Sequence, residues 1–214
     1  MAIAFDNYTQ NNAVTTSLTI SHTSTGSDIF MVIGITLISA SDVVTGVTQA
    51  GNTCTQENTV TIGSEREYIF FKDVSVVTGA QDVVISISVS TNTIGKVSTY
   101  TGALQSSGAD NSEVNSCTSC TTLDVFSVTN TVADNSWIIA SCRNNASNWI
   151  VNANSTIREV ESFTILDSNA PITPAGALAI GGTFSSGSAV MCGISIAPAA
   201  VVAAEPAIFF GANF

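Results

Sequence analysis

Positive charge is scarce in this chain. Its 214 residues include five Lys and Arg against 16 Asp and Glu, for a net charge of −11. Arg66, Lys72, Lys96, Arg143 and Arg158 are scattered and form no basic patch. An acidic surface repels nucleic acid and anionic lipid, so neither is expected as a direct partner. Charge of either sign is thin, at 10% of residues against ~25% in an average soluble protein. Solubility therefore falls to Ser, Thr and Asn, which compete with helical hydrogen bonding and favour strands and turns. Long apolar runs are also missing. The nearest candidate for a membrane span, Ala189 to Gly211, is broken by Pro198, Glu205 and Pro206, which oppose a spanning helix. The opening residues, Met1 to Asp6, carry no basic segment, apolar segment or cleavage site. The expectation is synthesis in a cytoplasm with release by lysis, or export by an unusual route.

Histidine occurs once and cysteine five times. A Ser-His-Asp triad would have to use His22, whose neighbours Ser21 and Thr23 point to the opposite face of the same strand. His22 is therefore read as structural. Cys117-Thr118-Ser119-Cys120 is a lone CxxC with no second ligand pair for zinc and no α/β context for redox work. It reads as a small loop disulfide or two free thiols. Cys192, in an apolar run, reads as a small core hydrophobe, and an odd count does not make a disulfide framework.

What the sequence does have is alternation. Val14, Thr16, Leu18 and Ile20 fall on one face of a first strand, and Val83, Ile85, Ile87 and Val89 alternate with Val84 and three serines. Ile29 to Ile38 is nearly continuous apolar sequence, as in a strand covered on both sides, and its β-branched content favours strand over helix. Further strands are expected at 68–72, 96–101, 123–132, 136–142, 155–166, 177–184 and 189–197, separated by Gly, Ser, Asn and Asp turns. Ten or more short strands imply an all-β fold, an antiparallel β-sandwich of jelly-roll-like topology. The polar stretch Gln105 to Thr122 is expected to be an elaborated loop within one sandwich spanning 1–197, on the reading that neither half alone supplies two well-covered sheets. Residues 198–214 are expected to form an extended C-terminal arm. It carries Ile208, Phe209, Phe210 and Phe214, too apolar for a free tail and suited to assembly contacts.

Candidates for chemistry are few. Glu65 and Glu67 share a strand face, with Arg66 facing away, and Glu159 and Glu161 repeat the spacing. Facing carboxylates serve glycoside hydrolysis, but such pairs are read here as solvated strand faces. No Ca²⁺ loop motif is present, and Asp110 with Glu113 is the best remaining acidic pair. No cofactor or metal is expected. Trp137 opens a strand and reads as core. Trp149, beside a polar turn, is the candidate for an exposed ligand-stacking residue. Three sequons, at Asn7, Asn145 and Asn154, are read as chance in an Asn- and Thr-rich chain.

The order of several segments carries a family likeness. These are Ile3–Asp6, Leu18–Thr23, Gly26–Ile35, Val44–Gly51, Tyr68–Lys72, Thr78–Ile85, Ser98–Ala103 and Ala133–Ile139. Together they resemble a jelly-roll-like β-sandwich module of bacteriophage virion proteins and bacterial surface proteins, and the likeness spans residues 3 to 197. Gln49-Ala50-Gly51 stands where that family repeats a Gly-Gly turn. The resemblance implies a non-enzymatic virion structural protein, either capsid decoration or tail component, with copies of itself or other virion proteins as partners. The alternatives are a carbohydrate-binding or adhesin module at a cell or virion surface, and an extracellular filament subunit.

Overall fold

The cleanest alternation in the sequence belongs to an unusually long strand. In the computed structural model, which describes residues 2–39, 41–127, 129, 131–145, 149–159 and 163–200, strand β7 (Gly79–Thr101) runs for 23 residues. Its partner β1 (Ala4–Ser24) runs antiparallel to it over almost its full length. Register breaks once in the middle, where β1 passes from Thr15 to Ser17 while β7 passes from Thr91 to Ser86. Unequal residue counts on paired strands bend a ribbon, and this one folds back over itself. The folded half brings Leu18, Ile20 and Ile85 over Gly95, where a Cβ would stand 2.5 Å from Ile20 Cδ1. Only glycine leaves room there.

The two halves of β1 meet edge to edge and are bridged by side chains. Asn11 Nδ2 donates to Thr19 O and Asn7 Nδ2 to Thr23 O, both at 2.8 Å, and Thr25 N donates to Asp6 Oδ2 at 2.9 Å. These short polar residues satisfy an edge that would otherwise offer unpaired backbone groups.

The opposite edge of β7 is shared. Strand β2 (Phe30–Leu37) pairs with residues 93–100, and β3 (Val44–Gln49) with residues 83–87. Strand β4 (Asn52–Thr53) extends β3, β6 (Glu65–Lys72) extends β2, and β5 (Thr55–Ile62) extends β6. One hydrogen-bonded sheet thus supplies two facing layers, the pairing order of a jelly roll. Leu18, Ile20, Val47 and Ile85 from one layer meet Met31, Ile33, Tyr68 and Phe70 from the other.

Residues after 110 repeat the plan. Strands β8 (Asn111–Val125) and β13 (Ile180–Ile196) form a second long ribbon with register breaks between Thr183 and Ala189. The other edge of β13 takes β9 (Trp137–Asn144) and β10 (Ile150–Val151); β12 (Phe163–Asp167) extends β9 and β11 (Thr156–Ile157) extends β12. Gly193 plays the part of Gly95, since a Cβ there would lie 2.7 Å from Val125 Cγ2. Leu123, Val125, Ile138, Leu166, Phe184 and Met191 fill this second interior. The two jelly rolls pack through their β2- and β9-containing layers, around Phe30, Val32, Ile69, Tyr100, Ile139 and Ile194.

The all-β sandwich expectation holds, with no helix among the described residues. Several local expectations do not. The expected loop Gln105–Thr122 becomes strand β8 from Asn111 onward. It is an edge strand whose polar residues alternate between half-buried and exposed, so it lacks the apolar signature of an inner strand. Each half does supply two covered layers, because a single bent strand serves in both. Val14 is 73% exposed at the corner of the first ribbon, since the register break beside it undoes the alternation with Leu18 and Ile20. The strand expected over 123–132 ends at Val125, where Phe126 turns to a positive φ of 61°.

Candidate functional site

The layer between the jelly rolls contains the chain's most unusual chemistry. Lys96 follows Gly95 on β7, and its side chain crosses β2 to reach Glu67 on β6; both side chains are fully buried. The crossing is possible because β2 presents Gly34 beneath it. A Cβ at that position would lie 3.1 Å from Lys96 Cε and 1.9 Å from the Oγ of Ser141, which descends from β9. Lys96 Nζ donates to Glu67 Oε1 at 2.6 Å, Thr36 Oγ1 at 3.1 Å and the Cys142 carbonyl at 3.2 Å. Glu67 Oε1 also accepts from Ser141 Oγ at 2.5 Å, and Oε2 accepts from Thr36 Oγ1 at 2.5 Å. All three ammonium hydrogens and both carboxylate oxygens are thereby engaged, as burial of such groups demands.

This pair is the middle of a polar seam. To one side, Arg143 on β9 forms an ion pair with Glu65 on β6. To the other, Arg158 grips Asp167 on β12 through Nε at 2.5 Å and Nη2 at 2.6 Å, and Tyr100 on β7 donates its hydroxyl to Asp167 Oδ2 at 2.9 Å. Burial raises the Asp167 carboxyl above its ordinary range, opposed by Arg158 and Tyr100. Burial, followed by the Asp167 charge, drives the Tyr100 phenol well above its ordinary value. The face carrying Glu65 and Glu67 is therefore the interface between the jelly rolls, and the reading of a solvated pair is corrected: a polar stripe on an inner face looks like solvent exposure until its partners are known. Glu159 is exposed, while Glu161 lies outside the described residues.

His22 is 1% exposed, with Nδ1 and Nε2 each 3.1 Å from a threonine hydroxyl, Thr9 and Thr99. Desolvation lowers its pKa from 6.5 to about 4, against an opposing pull from Asp6. It bridges the two halves of β1 as a neutral ring. Cys117 and Cys120 form a disulfide, one of the two readings of the CxxC. Cys54, Cys142 and Cys192 are free and buried, with desolvation pushing the first two thiols up to about 11 and about 12 and Cys192 well above its ordinary value. Asp110 and Glu113 organise loops: Val132 N donates to Asp110 Oδ2 and Phe126 N to Glu113 Oε2, both at 2.7 Å. Among the described residues no group of three His, Cys, Asp or Glu is placed to hold a metal ion.

Trp149 does not stand free on the surface. Its ring stacks on Phe184 with centroids 5.2 Å apart, and it packs partly buried against the second interior. The expectation of an open stacking platform is corrected on that face of the ring, because a large aromatic beside a core aromatic gains more by covering it. The arm residues Ile208, Phe209, Phe210 and Phe214 lie outside the described residues. The arm's root is described. Ala199 N donates to Gly102 O and Leu104 N to Ala197 O, both at 2.8 Å, tying the exit of β13 to the link between the jelly rolls. Beside it opens an apolar cleft of about 450 Å³, walled by Ile3, Trp137, Pro171 and Pro198.

No protein-family model, curated protein or solved structure matches this chain.

Proposed function

We propose that this chain is a non-enzymatic structural protein of a virion, a capsid decoration or tail-associated part, held in a symmetric assembly of copies through its C-terminal arm. The observation that carries this reading is the pair of jelly rolls locked face to face, with the arm leaving beside an apolar cleft. Jelly rolls serve as capsid and lectin domains, among others. Here the side chains best suited to chemistry, His22, Lys96, Glu67 and the free thiols, are committed to interior contacts. Ile208, Phe209, Phe210 and Phe214 would supply the anchoring, at ~1.5–3 kcal/mol per fully buried large side chain before ordering costs. Many such contacts act together in a closed assembly.

The test replaces those four residues with serine and measures incorporation of the chain into particles. Loss of incorporation with an unchanged folded domain supports the reading, and undiminished incorporation refutes the anchoring role. A lectin or adhesin is the second reading, since jelly rolls also carry sugar sites. It requires saturable oligosaccharide binding that perturbs Trp149 fluorescence, which a purely structural part does not show.

A further inference from the structure

A chain with five basic side chains spends one of them at a completely buried position, between two layers that apolar residues fill elsewhere. As an ion pair this arrangement is an expensive way to join strands, because desolvation offsets much of the attraction. As a precursor to a covalent bond it is well arranged. We propose that Lys96 and Glu67 condense after folding into an intramolecular amide, Nζ to Cδ, with release of one water molecule.

The contacts give each step a group. Nζ lies 2.6 Å from Glu67 Oε1, so the ammonium proton passes to that oxygen and leaves a neutral amine beside a neutral carboxylic acid. The nitrogen lone pair then forms the bond to Cδ, and the carbonyl π pair moves onto Oε2. Thr36 Oγ1 donates to Oε2 at 2.5 Å, where that negative charge develops. A second proton leaves the nitrogen for Oε1, which Ser141 Oγ already holds at 2.5 Å. The Cδ–Oε1 bond breaks, water departs with the pair of electrons, and the carbonyl re-forms on Oε2. Two protons leave nitrogen, one oxygen leaves carbon, and no oxidant or co-reactant enters. Proximity supplies the rest, because the pair is held in contact by strands on both sides. The amide keeps one N–H for the Cys142 carbonyl, 3.2 Å from Nζ in this structure.

Such a bond would staple β6 to β7 across the central strand β2, at the face where the second jelly roll docks. Gly34 leaves room for this crossing, since a Cβ there would stand 3.1 Å from Lys96 Cε and overlap Ser141.

The experiment is the intact mass of the purified full-length chain, denatured and reduced. The expected mass is one water below the sequence sum, after allowing for removal of Met1. Trypsin then yields residues 67–72 joined to 73–143, uncut at the acylated Lys96. Lys96→Arg should restore the full sequence mass, and Thr36→Val and Ser141→Ala should leave a measurable fraction uncondensed. A wild-type mass equal to the sequence sum, or cleavage after Lys96, overturns the proposal without recourse to any variant. A water deficit that persists in Lys96→Arg overturns it as well.

Discussion

Acidification should weaken this fold through His22 by an amount that can be worked from its surroundings. In the folded chain the ring is enclosed by threonines and its pKa falls from 6.5 to about 4. Between those values the unfolded chain binds a proton that the folded chain does not, so stability falls as pH falls. The contribution is fully present above the unfolded value and is lost as pH descends through the folded one. Each unit of difference is worth about 1.4 kcal/mol, so the full contribution is about 3 kcal/mol. Between about pH 7.5 and about pH 4.5 the loss attributable to His22 comes to about 2.5 kcal/mol. Asp6, whose charge acts on the ring, is common to wild type and variant, so the comparison with His22→Gln isolates the imidazole. Urea unfolding at the two pH values is the assay. Wild type should lose about 2.5 kcal/mol more than His22→Gln over this interval. Equal losses in the two proteins would refute the neutral, buried ring.

Other perturbations have outcomes set by particular contacts. Gly34→Ala drives a Cβ into Ser141 and should cost about 1–3 kcal/mol, while Gly46→Ala, which meets nothing within 4 Å, should avoid that packing penalty; denaturant midpoints decide. Adding Ser141→Gly to Gly34→Ala should recover part of the loss. A thiol reagent should leave Cys54, Cys142 and Cys192 unmodified in the native protein, since all three are buried with raised pKa values, and should label them on unfolding. The Cys117–Cys120 disulfide closes so short a loop that its reduction should lower stability by about 2 kcal/mol or less, with the fold retained by circular dichroism. Trp149→Ala should uncover Phe184 and lower the thermal midpoint, with a destabilisation of up to about 3–5 kcal/mol.

Much of this architecture was legible in local pattern. The alternations at 83–89 and the apolar run at 29–38 became strands of the first jelly roll, and Cys192 and Trp137 are core residues, because side-chain period is a local property. Strand β8 escaped notice because an edge strand carries Ser, Asn and Thr where an inner strand carries Val and Ile. The bends in β1 and β7 arise from unequal residue counts in paired strands, which neither strand displays alone. The polar seam was the least legible. Glu67 and Lys96 lie 29 positions apart, and their burial depends on Ser141 from the other jelly roll. Gly34 and Gly95, each inside an apolar or alternating segment, were the available signals, since a glycine within a strand often marks close approach of another group.

The most direct test of the assembly reading is the solution mass of the full-length chain beside a chain ending at Ala200, which keeps the contacts that tie residues 197–199 to Gly102 and Leu104. Light scattering on both should give a defined oligomer for the full-length protein and a monomer for the shortened one. Equal masses for the two would contradict assembly of copies through the C-terminal arm.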